Sequence, residues 1–142
     1  MKKILLIFAI ITAYITNAQV SSYSFTQSSG TYTALASPTI LATATASNSL
    51  DNAVYPVTLP FNFSFNGVNY SSLNVSTNGF ITFGTTVPGT ATYSPISSTE
   101  TYSGAVSAFG RDLNAIANVT NVFGTVSWGI EGTAPNREIV IQ

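Results

Sequence analysis

Residues 59–83 read LPFNFSFNGVNYSSLNVSTNGFITF, and this stretch decides the fold. Apolar and polar side chains alternate up to Phe65, which is the period of a β-strand with one apolar face. Asn66-Gly67 then predicts a two-residue hairpin turn, because both turn positions must take a positive φ. The resulting register keeps the large side chains on one face, in the pairs Phe65–Val68 and Phe63–Tyr70.

A second Asn-Gly pair, Asn78-Gly79, predicts a turn of a different kind. A two-residue loop here would put the apolar side chains of the two strands on opposite faces of the sheet. A three-residue loop over residues 77–79 keeps them together, in the pairs Val75–Ile81 and Leu73–Phe83. We therefore predict a type I turn in which Gly79 is left-handed and forms a β-bulge. Asn74 and Ser76 then fall on the polar face of the strand.

The rest of the chain has short alternating or apolar runs separated by turn residues, and no convincing helix after residue 18. We predict strands within residues 19–35, 39–46, 105–109, 119–130 and 138–142. Residues 84–104 have weak periodicity and predict a long loop. The fold class is all-β, a two-layer antiparallel β-sandwich, with a small barrel as the alternative.

Residues 1–18 have the features of an export signal. Lys2 and Lys3 precede an apolar run over residues 4–15, which is short for a membrane span, and small residues precede Gln19. We expect a signal-peptide helix cleaved before Gln19, with a membrane anchor as the alternative, and a single domain over residues 19–142. The sequence stops inside a predicted strand, so we expect a domain truncated at its C-terminus that continues into downstream domains.

The amino-acid composition excludes several classes of function. Hydrophobic residues make up 45% of the chain and charged residues only 6%. Loss of Lys2 and Lys3 with the signal would change the net charge from −1 to −3, which excludes electrostatic binding to nucleic acid or anionic lipid. The chain has no cysteine, so it forms no disulfide and is not a lipoprotein. We expect a secreted or cell-surface location without membrane insertion after cleavage.

The sequence offers little for catalysis. It contains no His and no Cys, which excludes nucleophile schemes that depend on imidazole or thiolate, and zinc sites with nitrogen or sulfur ligands. The carboxylates are scattered and do not indicate a glycosidase pair; they are Asp51, Glu100, Asp112, Glu131 and Glu138. We therefore predict that the protein is not an enzyme.

Two sets of residues are candidates for binding. Asp51, Asp112 and Asn114 carry oxygen ligands on predicted loops and could hold Ca²⁺, although such residues more often cap turns. Tyr93 and Tyr102 lie in the long loop and could stack on sugar rings. No other cofactor is expected.

Three stretches carry a resemblance to a known group of proteins: VSTNGFITFG at 75–84, AFGRDL at 108–113 and GTAPNRE at 132–138. Together with the Phe-rich strand they resemble the N-terminal β-sandwich domain of secreted Bacteroidota surface proteins. The resemblance implies a bacterial protein with adhesin-like modules and a C-terminal sorting domain for type IX secretion. A weaker likeness is to nidogen-type extracellular domains.

Three functions follow as hypotheses. The first is an accessory or adhesion module of a larger exported protein, as the resemblance implies. The second is a carbohydrate-binding module that uses the loop aromatics. The third is a non-catalytic part of a secreted hydrolase. The expected partners are the downstream domains of the same polypeptide and surface glycans or proteins.

Overall fold

The computed structural model describes Ser24, residues 26–115 and residues 124–142. The predicted signal peptide, and the parts of the predicted strands that fall on residues 19–23, Phe25 and residues 116–123, lie outside the described residues. The chain divides into two compact units, Met1–Thr33 and Ala34–Gln142. Among the described residues, no helix is long and apolar enough to cross a membrane.

The second unit contains two antiparallel sheets. The strands are β1 (Thr39–Thr43), β2 (Val54–Phe65), β3 (Val68–Ser76), β4 (Phe80–Phe83), β5 (Ala105–Ser107), β6 (Thr125–Thr133) and β7 (Asn136–Ile141). One sheet has the order β2-β3-β4-β5 and the other has the order β1-β6-β7. This arrangement is the predicted all-β sandwich.

Both hairpins of the deciding stretch have the predicted registers. Phe65 pairs with Val68 across the first turn, and Val75 pairs with Ile81 across the second. Asn66 and Gly67 have φ of 49° and 76°, the two positive values that a two-residue turn requires. Gly79 has φ of 77°, which is the left-handed conformation predicted for it.

The core lies between the sheets. Its buried side chains come from the four-stranded sheet and are Val57, Leu59, Leu73, Val75 and Phe83. The three-stranded sheet packs Leu41, Val126, Trp128, Ile139 and Ile141 against them. Phe83 is only 2% exposed, and its ring stacks on three partly buried rings, those of Phe63, Phe65 and Tyr70, at centroid distances of 5.5, 4.4 and 5.4 Å. Aromatic burial of this kind is a major source of stability in a chain without disulfides.

Pro60 interrupts the pairing of β2, the edge strand of its sheet. The register between β2 and β3 shifts between Thr58 and Phe63, as expected for a strand in which proline cannot donate a hydrogen bond. Within the shifted segment, the Phe61 ring lies 4.0 Å from the guanidinium carbon of Arg137 on β7. This cation–π contact joins the two sheets at the side of the sandwich.

Three predicted segments differ from the structure. Residues 26–35 contain no strand; the Leu35 N–H donates to the side-chain Oε1 of Gln142, at 3.1 Å, rather than to a strand. The strand at 39–46 ends at Thr43, with a register shift between Ile40 and Ala42. Leu41 packs against the core, and Ala44 of the predicted Ala face is buried just after the strand. The predicted turn at 131–136 is shorter, since β6 and β7 continue to Thr133 and from Asn136.

Candidate functional site

The polar face of β3 and β4 is buried, although the alternation of apolar and polar side chains predicts that it is exposed to solvent. Asn74 and Ser76 are 1% and 4% exposed, and Thr82 is fully buried. The long loop, residues 84–104, crosses this face, and its carbonyl groups accept hydrogen bonds from the strand side chains. The sheet is therefore covered on both faces, by apolar contacts on one side and by a hydrogen-bonded loop on the other.

Asn74 fixes the beginning of the long loop. Its side-chain Nδ2 donates to the carbonyl oxygens of Gly84 at 3.1 Å and Thr86 at 3.0 Å, and lies 3.2 Å from Thr82 Oγ1. A buried amide must have such partners, because an unpaired polar group away from water costs about 1–3 kcal/mol. Among the described residues, no buried side-chain polar atom lacks a hydrogen-bond partner.

Asn78 fixes the middle of the same loop and the segment after β5. Its Nδ2 donates to the carbonyl oxygen of Thr92 at 3.1 Å and lies 3.4 Å from that of Thr90. Its Oδ1 accepts from the Leu113 N–H at 3.0 Å, and its carbonyl oxygen accepts from the Arg111 N–H at 3.2 Å. One buried turn residue thus holds two separate surface segments. Sequence reasoning identified Asn78 only as a turn former, because a loop contact leaves no periodic signal.

Gly79 allows the segment after β5 to approach the turn closely. A Cβ atom at this position would lie 2.9 Å from Phe109 Cβ and 3.2 Å from Leu113 Cδ1. The Gly79 carbonyl oxygen accepts hydrogen bonds from the N–H groups of Ala108 and Phe109, each at 3.2 Å. Gly79 therefore meets a steric requirement in addition to its positive φ.

Glu100 closes the far end of the long loop. Its carboxylate accepts hydrogen bonds from the Thr92 hydroxyl and from the Gly89 N–H, the latter at 2.6 Å. The Thr92 hydroxyl and the Gly89 N–H hold the pKa of Glu100 below its ordinary value, against a smaller opposing effect of burial. Tyr102 adds a further link, since its hydroxyl donates to the Pro95 carbonyl oxygen.

The residues held in this way present apolar side chains to solvent. A short 3-10 turn, Pro95–Ser97, packs beside β5 and belongs to this surface. Ile96 is 76% exposed and Phe109 is 74% exposed, and two more large side chains are about half exposed. We name this set the exposed apolar face; its members are Tyr93, Ile96, Val106 and Phe109. The strand predicted at 105–109 is confirmed over Ala105–Ser107, but it is a short edge strand and not the buried type that was predicted.

An apolar cleft opens between the two sheets next to β5. Its volume is about 430 Å³. Its walls come from both sheets, and the apolar ones include Val75, Ile81, Val106, Phe109, Val126 and Ile141. None of the described residues that line the cleft is charged; its polar residues are Ser76, Thr77, Thr125 and Gln142.

The candidate calcium residues lie on neighbouring segments. The Ala115 N–H donates to the Ser49 carbonyl oxygen at 2.8 Å, which brings the segment of Asp112 and Asn114 beside that of Asp51. All three candidate side chains are exposed. Among the described residues, no group of three acidic, His or Cys residues is placed to hold a metal ion.

The two candidate sugar-stacking residues differ in their environment. Tyr93 is 48% exposed, as expected of a loop aromatic that could meet a ligand. Tyr102 is half-buried, and its hydroxyl is engaged by the Pro95 carbonyl oxygen. Tyr93 is thus the more accessible of the two candidate rings, and Tyr102 supports the loop.

Fold and surface together define a β-sandwich module whose loops are fixed by buried amides. The chain matches the model of the NIDO-related family over residues 22–142, and it belongs to that family. This membership supports an extracellular location and a non-catalytic role, and it agrees with the nidogen-type likeness of the sequence. No curated protein and no solved structure matches the chain.

Proposed function

We propose that the protein is a non-catalytic accessory module of a larger exported protein, and that it acts in adhesion by contacting another protein. The observation that carries this proposal is the exposed apolar face. Ile96 and Phe109 each expose about three quarters of their surface, and the 3-10 turn that carries Ile96 packs beside β5. Exposed apolar side chains that are grouped in this way mark interaction sites, whereas single ones do not.

Charge and rigidity support a protein as the partner. Arg111 and Asp112 follow Phe109 after Gly110 and are both exposed, so one cation and one anion border the apolar side chains. An apolar centre with a polar border is typical of protein–protein interfaces. The Asn78 and Glu100 hydrogen bonds hold the backbone of this surface, which lowers the entropy lost on binding.

Adhesion of coated beads tests the proposal. Beads that carry the purified protein are applied to immobilised purified extracellular-matrix proteins, with a glycan array probed in parallel. We expect retention on at least one protein surface, loss of retention in Phe109→Ser, and unchanged retention in Ile40→Ser. Ile40 is the matched control because it is a half-exposed apolar residue on the other sheet. Equal retention of Phe109→Ser, or no retention of the native protein, contradicts the proposal.

Carbohydrate binding is the second candidate, and the exposed ring of Tyr93 favours it. In the same glycan array, a sugar signal that disappears in Tyr93→Ala and is unaffected by Phe109→Ser would show that the module recognises a sugar rather than a protein. Tyr102→Phe serves as the control, since it keeps the ring and removes only the hydroxyl bond to Pro95.

The proposal also covers the type of organism and the larger protein to which the module belongs. We propose that the parent is a bacterial protein exported through an N-terminal signal and sorted by type IX secretion, as the Bacteroidota resemblance implies. A role as the non-catalytic part of a secreted hydrolase is the alternative context. Sequencing the reading frame beyond Gln142 separates the two: a sorting domain favours the first and a catalytic domain favours the second.

A further inference from the structure

We propose that the cleft between the sheets binds an uncharged lipophilic molecule. This activity goes beyond the adhesion role, although the cleft and the exposed apolar face share Val106 and Phe109. The cleft is formed by side chains of both layers, with Val75, Ile81 and Val106 on one side and Val126 and Ile141 on the other. At about 430 Å³ it lies within the range of about 300–1,000 Å³ that is typical of small-molecule sites.

The lining determines the chemical class of the ligand. A charged ligand would lose its hydration without gaining an ionic partner, because the lining that the structure describes carries no charged residue. A hydrocarbon chain or ring system instead removes the apolar surface of the cleft from contact with water, which is favourable. The Thr125 hydroxyl suits a neutral polar end, such as an alcohol, on an otherwise apolar body, whereas the Ser76 and Thr77 hydroxyls already bond to the Asn78 N–H and to the Ala53 backbone.

The walls of the cleft are held in place. Val75 is only 2% exposed and belongs to the core, and the turn residue Gly79 is held by two hydrogen bonds from the segment of Ala108 and Phe109. On the opposite side, Ser127 and Gln142 exchange a pair of backbone hydrogen bonds at 2.7 and 2.9 Å, which positions the end of β7. A site with fixed walls can bind a ligand without first ordering its own chain.

The test uses N-phenyl-1-naphthylamine, a neutral dye that fluoresces in apolar sites, with n-decanol as competitor. We expect saturable binding of one dye per chain, displacement by n-decanol, and no displacement by the charged decanoate ion at the same concentration. Ala108→Trp fills the cleft from its rim and should weaken dye binding by at least about tenfold. Ala46→Trp is the matched control, because Ala46 is exposed and does not line the cleft.

Val126→Phe fills the cleft from the opposite sheet and serves as a second test in case Ala108→Trp misfolds. We expect its stability to equal or exceed that of the native protein, and its dye binding to fall. Unchanged dye affinity in both filled variants, or the absence of saturable binding, overturns the proposal. A native protein that is dimeric in sedimentation, and whose Ala108→Trp variant is monomeric, also overturns it, since a second copy would then occupy the cleft. Bead adhesion that fails while dye binding persists refutes the adhesion role alone.

Discussion

The side-chain amide of Asn78 lies 3.1 Å from the carbonyl oxygen of Thr92, a residue fourteen positions further along the chain. The same side chain accepts from the N–H of Leu113. A fully buried turn residue thus replaces, for two irregular segments, the backbone pairing that strands obtain from a sheet. We therefore expect the stability of the exposed surface to depend on this amide.

Removing the amide tests this dependence. Asn78→Ala leaves the Leu113 N–H and the loop carbonyls without their protein partner, so we expect a loss of unfolding free energy of about 2–4 kcal/mol. Asn69→Ala is the control, because Asn69 is exposed on β3, and it should change stability by less than about 0.5 kcal/mol. Urea unfolding followed by fluorescence measures both; equal losses would contradict the role of Asn78.

Alanine substitutions at two glycines with nearly the same φ distinguish the cost of backbone strain from the cost of a steric clash. Gly67 and Gly79 have φ of 76° and 77°, but a methyl group would meet atoms within 4 Å only at Gly79 and would stand in open space at Gly67. Gly67→Ala should therefore cost only the left-handed penalty of about 1–2 kcal/mol. Gly79→Ala should cost at least about 1 kcal/mol more, because its methyl group would overlap Phe109.

The same unfolding assay measures the glycine pair. Addition of Phe109→Gly to Gly79→Ala should recover part of the extra loss, since it removes the side-chain atom that lies 2.9 Å away. If the two single alanine variants were equally stable, close approach at Gly79 would have no energetic importance.

Phe83 and Phe109 are the same residue type in opposite environments. Phe83→Ala removes a ring that stacks on three others and should cost about 3–5 kcal/mol. Phe109→Ala removes a largely exposed ring and should cost less than about 1 kcal/mol. Thermal and urea unfolding check this comparison, and a larger loss for Phe109→Ala would show that its ring is buried in solution.

The loop contact of Glu100 depends on pH. Because hydrogen bonds from Thr92 and Gly89 lower its pKa in the folded protein, its contribution is complete above the pKa of the unfolded chain. The contribution is lost as pH falls through the lowered folded-state pKa. The chemical shift of the Gly89 amide proton should therefore titrate with a midpoint below the ordinary Glu value of about 4.3.

Glu100→Gln supplies the control for that titration. It keeps the size of the side chain and removes the ionisable group, so the acid transition of the Gly89 amide should disappear. A native midpoint at or above the ordinary Glu value would mean that the Gly89 and Thr92 bonds do not form in solution.

Local chemistry made the hairpins predictable. Asn66-Gly67 and Asn78-Gly79 each demand positive φ, and the apolar alternation on either side leaves one register for each turn. The burial of Asn74 was not predictable in the same way. Its partners are carbonyls of Gly84 and Thr86, and a carbonyl group is present at every residue, so no side-chain pattern marks the contact.

The candidate site also contains one residue whose exposure the sequence predicts and one whose exposure it does not. Tyr93 could be nominated because an aromatic ring in a Ser- and Thr-rich loop has no strand to bury it. The exposed position of Phe109 was missed, because an apolar run before Gly110 is also the pattern of a buried strand. The short length of β5 decides between the two, and that length depends on the fixed turn at Gly79 rather than on the run itself.

The amide bonds that anchor the long loop end on main-chain oxygens, at Thr86, Thr90 and Thr92. The Glu100 carboxylate and the Tyr102 hydroxyl are side-chain links that the loop must keep. Every amino acid supplies a main-chain oxygen, however, so the amide anchors place no demand on the outward side chains that the loop carries. Relatives could exchange those side chains, and hence their targets, without rebuilding the scaffold. For the same reason, a library randomised at the outward positions between the Asn78 anchor points and β5 offers a route to engineered binders.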